Sequence, residues 1–224
     1  MEVVISDEVR KAYGDLRLAF VEILGMRIGI GSEEVTGLLR ETSERISKSV
    51  SLEAVKDRAD FRAYRDFFWR LGVDPTKTRP ASEALVRRVL KGSPIPRIND
   101  FVDAYNVASI ETGVPIAAFD LSMIDDDVTL RFSLAGESFL GIGMPSGKEL
   151  GQGILVMSSG EDLIAIYPYR DAEESRITLE TSDAVLISCG VPGIPADALA
   201  EAAGRARDSV ISVCGGHPSR VKVV

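Results

Sequence analysis

Apolar residues recur at helical spacing through the first half of the chain. The clearest stripe begins after Ser32, whose short polar side chain is typical of a helix N-cap. Its members are Val35, Leu38, Leu39, Thr42 and Ile46. The same spacing, with proline at starts and glycine at stops, predicts further helices. These cover 60–71, 80–91, 100–112 and 195–214.

The second half of the chain changes to strand-like alternation. Val128, Leu130, Phe132 and Leu134 alternate with polar residues, which is typical of a half-buried strand. Gly and Ser clusters separate further β-prone runs at 138–142, 154–157, 163–169, 176–181 and 184–188. Near the N-terminus, 3–5 and 16–23 also predict strands, the second buried on both faces. Separate blocks of helices and strands predict an α+β fold, with helices packed on mainly antiparallel sheets.

The chain length favours one domain. A single domain commonly reaches the size of this 224-residue chain. The Gly and Pro residues of 92–96 predict a rigid connector. We therefore expect one domain over 1–224, with a helical α/β lead-in layer over 1–92 and a core over 97–215.

Composition excludes several classes of protein. No run approaches the roughly 20 apolar residues of a membrane span, and the charged N-terminus lacks a signal peptide, so we expect a cytoplasmic protein. Cys189, Cys214 and the single His217 cannot form a disulfide framework or a four-thiolate zinc site, and no metal or cofactor is expected. The loop 141–147 lacks the third glycine and the following helix of a dinucleotide-binding motif.

The formal charge of −8 is unevenly distributed. Segment 56–97 holds eleven Lys or Arg against five Asp or Glu, a net of +6, which leaves −14 for the remainder. This basic segment is either a set of solvated helix faces paired with acids or a surface that contacts a polyanion such as RNA. The candidate phosphate contacts are Arg62, Arg65, Arg79, Arg87 and Arg88. Phe67 and Trp69 lie off the apolar stripe of their helix and are candidates for base stacking.

The segment 102–120 carries the most specific local pattern. It reads as a capped helix, a glycine stop, a proline turn and an aromatic-acid pair, and by itself it predicts a helix, a turn and a strand. Asn106, Glu111 and Asp120 are the polar groups that could meet near the turn. The alternative is purely structural, with Gly113 and Pro115 ending the helix and Asp120 capping the next turn.

This segment resembles the B3/B4 domain of the phenylalanyl-tRNA synthetase β subunit. The matching positions are Asp103, Asn106, Glu111, Gly113, Pro115, Phe119, Asp120 and Leu121. Positions 64–68 and 79–85 resemble free-standing B3/4 proteins, as do Arg131, Gly136-Glu137 and Tyr169-Arg170-Asp171. The resemblance implies an editing pocket, which in the synthetase hydrolyses tyrosine wrongly joined to tRNA.

The resemblance also implies which residues line that pocket. They are Asn106, Glu111, Ala117, Phe119 and Asp120. Ala117 occupies the position of a histidine of the family pocket. The ligand is therefore either tyrosine or another, smaller or more polar, amino-acid-like molecule.

Two functions of different classes follow. One is trans-editing, in which a water molecule attacks the ester of a mischarged tRNA while backbone N–H groups stabilise the oxyanion. Sequence identifies no catalytic residue, although Glu111 or Asp120 is a candidate base if burial raises its pKa. The other is a non-catalytic binding module for an amino-acid-like molecule or RNA.

Overall fold

Six α-helices are present in the computed structural model, which describes residues 1–125 and 127–224. They are α1 (Asp7–Ala12), α2 (Glu33–Ser49), α3 (Ala59–Arg70), α4 (Ala81–Leu90), α5 (Asp100–Thr112) and α6 (Ala196–Cys214), with 3-10 turns at Ala54–Asp57 and Leu121–Met123. Ser32 caps α2 by accepting a hydrogen bond from the Val35 amide (3.4 Å), and Gly113 ends α5 with a φ of 76°. No helix among the described residues is long and apolar enough to cross a membrane.

The strands form two larger sheets and one small hairpin. In chain order they are β1 (Val3–Ile5), β2 (Leu18–Leu24), β3 (Ile116–Asp120), β4 (Val128–Phe132), β5 (Ser138–Phe139), β6 (Lys148–Glu149), β7 (Leu155–Ser159), β8 (Asp162–Ile166), β9 (Arg170–Asp171), β10 (Ala184–Cys189), β11 (His217–Pro218) and β12 (Lys222–Val223). Sheet one has the order β1-β4-β7-β8-β9, and sheet two has the order β11-β2-β10-β3, with β12 also on β2. The β1–β4 pair is parallel and the other pairs are antiparallel.

Sheet two is the middle layer of the fold. Successive side chains of a strand point to opposite faces. Ala117 and Phe119 of β3 therefore join the core between the two sheets, while Ile116 and Ala118 pack in the core formed with α5 and α6. The helix α3 contributes Tyr64 to the core between the sheets. The predicted α+β class, with helices on mainly antiparallel sheets, is confirmed.

The strand predicted over 176–181 is wrong. In this segment the Thr178 amide donates to the Thr181 hydroxyl (3.0 Å), and the Glu180 amide donates to the Thr178 hydroxyl (3.3 Å). Threonine hydroxyls thus bind backbone amides that a sheet would otherwise use. The strand predicted over 138–142 is reduced to Ser138–Phe139. The two-residue strands β6, β9, β11 and β12 were not predicted, because such short pairs carry no periodicity.

The connector predicted over 92–96 contains no helix or strand. Helix α4 ends at Leu90, and Gly92 has a φ of 65°. No regular element begins again before Asp100. The division into a lead-in layer and a core stays a prediction.

Candidate ligand site

A small cavity lies where the two sheets meet. Its volume is about 80 Å³. Since a water molecule occupies about 30 Å³ in the liquid, the cavity has room for roughly two or three water-sized groups. The lining residues come from β3, β7, β8, β9, β10, their loops and the start of α4. They are Ala81, Pro115, Ile116, Ala117, Met157, Ala165, Ile166, Tyr167, Pro168, Tyr169, Asp171 and Cys189.

Asp171 is the one charged side chain among these lining residues. It lies on β9, opposite Ala165 of β8. Within residues 1–125 and 127–224, its carboxylate has no hydrogen bond or ion pair, and burial raises its pKa to about 7. Asp171 therefore titrates near neutral pH, as an acid–base group or an ion-binding group in a cavity does.

Two buried tyrosines bind the backbone at the end of β10, beside the cavity. The Tyr64 hydroxyl donates to the Cys189 carbonyl (2.8 Å), and the Tyr167 hydroxyl donates to the Gly190 carbonyl. Both hydroxyls are thus engaged with the backbone. Burial, reinforced by the nearby Asp171 carboxylate, raises the pKa of the Cys189 thiol. The thiol is therefore protonated at neutral pH and is not an activated nucleophile.

Three of the predicted ligand residues, Ala117, Phe119 and Asp120, lie on β3, and the first two have different surroundings. Ala117 lines the cavity, and its backbone pairs with Ile187 of β10. Phe119 is fully buried in the core between the sheets and does not line the cavity. Asn106, predicted from the preceding helix, is partly exposed on α5 and is also absent from the lining.

The two predicted acids lie at contacts between elements. Glu111 accepts a hydrogen bond from Thr42 (2.9 Å) and forms ion pairs with Arg45 and with Arg205 (3.2 Å), so it joins α5 to α2 and α6. Asp120 caps the turn after β3, where its Oδ1 accepts from the Ser122 amide (2.9 Å).

Asp120 Oδ2 accepts a further hydrogen bond from the Thr181 hydroxyl. Of the predicted ligand residues, the structure brings Ala117 to the cavity and places the others elsewhere. Their ligand roles stay predictions.

The predicted phosphate contacts divide into two groups. Arg65 and Arg87 both bind the fully buried Glu83 carboxylate, at 3.1 Å and 2.7 Å. Arg88 donates to the Pro94 carbonyl (2.9 Å). The two remaining side chains, those of Arg62 and Arg79, are exposed and have no ion pair or hydrogen bond in the described part of the chain.

The two aromatic candidates for base stacking on α3 differ in their exposure. Phe67 is 2% exposed and its ring lies edge-on to Tyr13, with centroids 5.1 Å apart. Trp69 is 57% exposed. Trp69 is therefore the side chain of this pair that is available for stacking.

The basic segment borders the cavity. Ala81, the first residue of α4, lines it. The Phe68 ring of α3 lies 5.9 Å from the ring of Tyr169, another lining residue. A polyanion bound along α3 and α4 would therefore reach the region of the cavity.

Sequence reasoning did not place Asp171 in the site. The only available signal was its position within Tyr169-Arg170-Asp171, one of the stretches that carried the family resemblance. The neighbouring Cys189 is buried.

The model of the B3/4 domain family matches residues 63–209. The chain belongs to this family. Among curated relatives, it is 33% identical over 117 residues to the phenylalanine–tRNA ligase beta subunit of Chromobacterium violaceum, covering 52% of this chain and 14% of that protein. It is 36% identical over 95 residues to the same subunit of Vibrio vulnificus (strain YJ016), covering 42% of this chain and 12% of the relative.

A solved structure supports the same fold for this B3/4 domain protein. An N-terminal fragment of the phenylalanyl-tRNA synthetase beta subunit from Pyrococcus horikoshii superposes with a TM-score of 0.50 at 13% identity, covering 97% of this chain and 50% of the fragment. At this identity the likeness concerns the fold alone. The chain spans only 12 to 14% of the length of the two curated relatives.

Proposed function

We propose that this B3/4 domain protein is a trans-editing hydrolase of the cytoplasm that removes a wrong amino acid from a tRNA. The observation that carries the proposal is the cavity beside Ala117, which borders the basic segment on α3 and α4. An aminoacyl group would enter the cavity while the tRNA backbone lies along the arginines. The relatives are subunits of a tRNA ligase, which supports a tRNA substrate.

The size of the cavity bears on the amino acid. A cavity of about 80 Å³ suits a small aminoacyl group better than tyrosine. Most of the wall is aliphatic, including Met157, Ala165 and Ile166. The proposed substrate is therefore a tRNA that carries a small, largely apolar amino acid.

The proposed reaction is hydrolysis of the aminoacyl ester. A water molecule attacks the ester carbonyl carbon, the bond to the ribose oxygen breaks, and the products are the free amino acid and the deacylated tRNA. Pro80 provides no side-chain cap for α4, so the first amides of this helix are available as oxyanion donors beside the lining residue Ala81. Removing one such donor typically costs about 3–4 kcal/mol of transition-state stabilisation.

The direct test is a deacylation assay over a panel of mischarged tRNAs. Ala117→Leu should fill the cavity and abolish deacylation, and Ala54→Leu is the matched control at an exposed position. Thermal unfolding of both variants verifies that they are folded. Absence of deacylation above buffer for every tRNA of the panel would reject hydrolysis.

RNA binding is tested separately. The double substitution Arg62→Gln and Arg79→Gln should weaken tRNA binding and make the affinity less dependent on salt. With fewer phosphate contacts, fewer counterions are released from the tRNA on binding. Arg220→Gln removes an exposed arginine outside the basic segment and is the control. If tRNA affinity does not depend on salt, the basic segment does not contact phosphates.

The second candidate is a binding module without chemistry. It is favoured by the protonated Cys189 and by the engagement of both buried tyrosine hydroxyls, which leave no activated nucleophile in the cavity. A thermal-shift screen with amino acids and nucleotides tests it. A ligand that stabilises the protein without turnover supports this function.

A further inference from the structure

We propose that Asp171 binds the α-ammonium group of the amino-acid ligand and that the cavity favours an amino acid whose carboxyl group is esterified over the free amino acid. This inference takes the class of ligand from the proposed function and adds the group that recognises it. The juxtaposition behind it is a lone carboxylate in a small, largely aliphatic cavity.

Among the described residues, none forms a hydrogen bond or an ion pair with the carboxylate of Asp171. The adjacent cation, Arg170, is exposed and donates to the Ile142 carbonyl (3.1 Å). Its aliphatic stem packs so tightly on Gly141 that a Cβ there would overlap it. Since successive side chains of a strand point to opposite faces, Arg170 is held away from its neighbour. None of the described residues that line the cavity is Lys, Arg or His.

The other titratable groups near Asp171 are neutral around pH 7. Burial raises the pKa of Tyr105 and of Cys189, and the Asp171 carboxylate reinforces both shifts. Burial likewise raises the pKa of Tyr167 and Tyr169. These groups therefore supply no positive charge. Asp171 is partly buried, and a partly desolvated carboxylate without a cation is disfavoured. An ammonium group of a ligand would offset that cost.

The same arrangement of charges disfavours a ligand that carries its own free carboxylate. A free amino acid would bring its own negative charge toward Asp171, and no cation lines the cavity to receive it. An esterified or amidated amino acid keeps the ammonium group and loses the negative charge. An aminoacyl-tRNA has this form, with its carboxyl group bound to the ribose.

The test uses stable amides as probes. Glycinamide, alaninamide, valinamide and leucinamide are titrated by calorimetry at pH 7.5, beside the free amino acids and the N-acetyl amides. We expect binding of at least one amide, at least tenfold weaker binding of the matching free amino acid, and no binding of the matching N-acetyl amide. Asp171→Asn should weaken amide binding at least tenfold, whereas Asp162→Asn, on the exposed start of β8, should leave it unchanged.

The pH profile gives a second readout. Binding needs an ionised Asp171, whose pKa is about 7, and a protonated ligand ammonium, so affinity should pass through a maximum. The alkaline limb should lie near the ordinary α-amino pKa of about 8. In Asp171→Asn the acid limb should disappear.

Three outcomes would overturn the proposal: no amide binds, the N-acetyl amide binds equally well, or Asp171→Asn binds amides normally. A variant that binds amides normally and deacylates slowly would identify Asp171 as a general base. Amide binding that depends on Asp171, without deacylation of any tRNA, would support the proposal while rejecting hydrolysis.

Discussion

The Tyr64 hydroxyl donates a 2.8 Å hydrogen bond to the Cys189 carbonyl, which joins helix α3 to the end of the strand that forms the cavity wall. Tyr64 is fully buried, and burial raises its pKa well above the usual value, so the hydroxyl remains a donor across the physiological range. This bond fixes the basic helix beside the cavity. The position of the arginines relative to the ligand therefore depends on a buried contact.

Tyr64→Phe should destabilise the protein by about 1–3 kcal/mol, because the Cys189 carbonyl loses a buried donor. Tyr13→Phe is the matched control, since the Tyr13 hydroxyl makes no hydrogen bond in the described part of the chain while its ring packs on Phe67. Urea unfolding of both variants measures the difference. Equal stability of the two variants would show that the hydrogen bond contributes little.

Glu83 should be far more important for stability than an exposed acid with the same kind of partner. Its carboxylate is fully buried and binds Arg65 and Arg87, so Glu83→Gln should cost about 3–5 kcal/mol by leaving these arginines without their counter-ion. Glu201 forms a similar i,i+4 pair with Arg205 at 60% exposure. Glu201→Gln should therefore cost less than about 1 kcal/mol. Chemical unfolding measures the stability of both variants. A similar loss of stability in Glu83→Gln and Glu201→Gln would contradict the greater importance of Glu83.

The helices could be predicted from the sequence because their signals are local. Ser32 and Gly113 mark the ends of α2 and α5 through short-range hydrogen bonds and backbone conformation. The strand predicted over 176–181 failed for an equally local reason, since Thr178 and Thr181 form a side-chain turn there. The periodicity of a sequence cannot distinguish a true strand from a β-prone run whose backbone amides are already bound by side-chain hydroxyls.

The cavity could not be predicted in the same way. Asp171 reaches it through a two-residue strand, and Ala117 reaches it through pairing with β10 about 70 residues later in the chain. The family resemblance led to Ala117 but also to Glu111, which the structure places in an ion-pair cluster with Arg45 and Arg205. Which acids face a cavity is set by such non-local pairing.

The raised pKa of Asp171 predicts a stability that depends on pH. Its pKa is about 7 in the folded protein against 3.8 ordinarily, so the folded state binds the proton more tightly than the unfolded chain. The free energy of unfolding therefore falls as pH rises from about 4 to 7. Above pH 7 Asp171 is ionised in the folded protein, and the loss of stability is complete. Asp171→Asn removes this titration and should be more stable than the parent at pH 8.

We expect a gain of about 2 kcal/mol for Asp171→Asn at pH 8, equivalent to roughly 4–8 °C in Tm, and little difference near pH 4. Thermal unfolding without ligand, from pH 4 to pH 8, measures it. Asp162→Asn is the control for loss of one negative charge at an exposed site. A constant difference between parent and Asp171→Asn over this range would argue against the pKa shift.

Gly190 should not tolerate a side chain. It follows Cys189, and a Cβ there would overlap the Arg17 carbonyl oxygen and the Leu199 side chain. Because the carbonyl belongs to the backbone, relief requires movement of a strand or its loop. Gly190→Ala should therefore cost about 3 kcal/mol, the upper end of the usual cost of overpacking.

Gly204 is the matched control in the interior of α6, where a Cβ meets nothing within 4 Å. Gly204→Ala should stabilise the protein by about 0.5–1 kcal/mol, since alanine loses less backbone entropy in a helix. The two substitutions add the same methyl group and should shift Tm in opposite directions. If Gly190→Ala kept the parent Tm, the contact of Gly190 with Arg17 would be looser than the structure indicates.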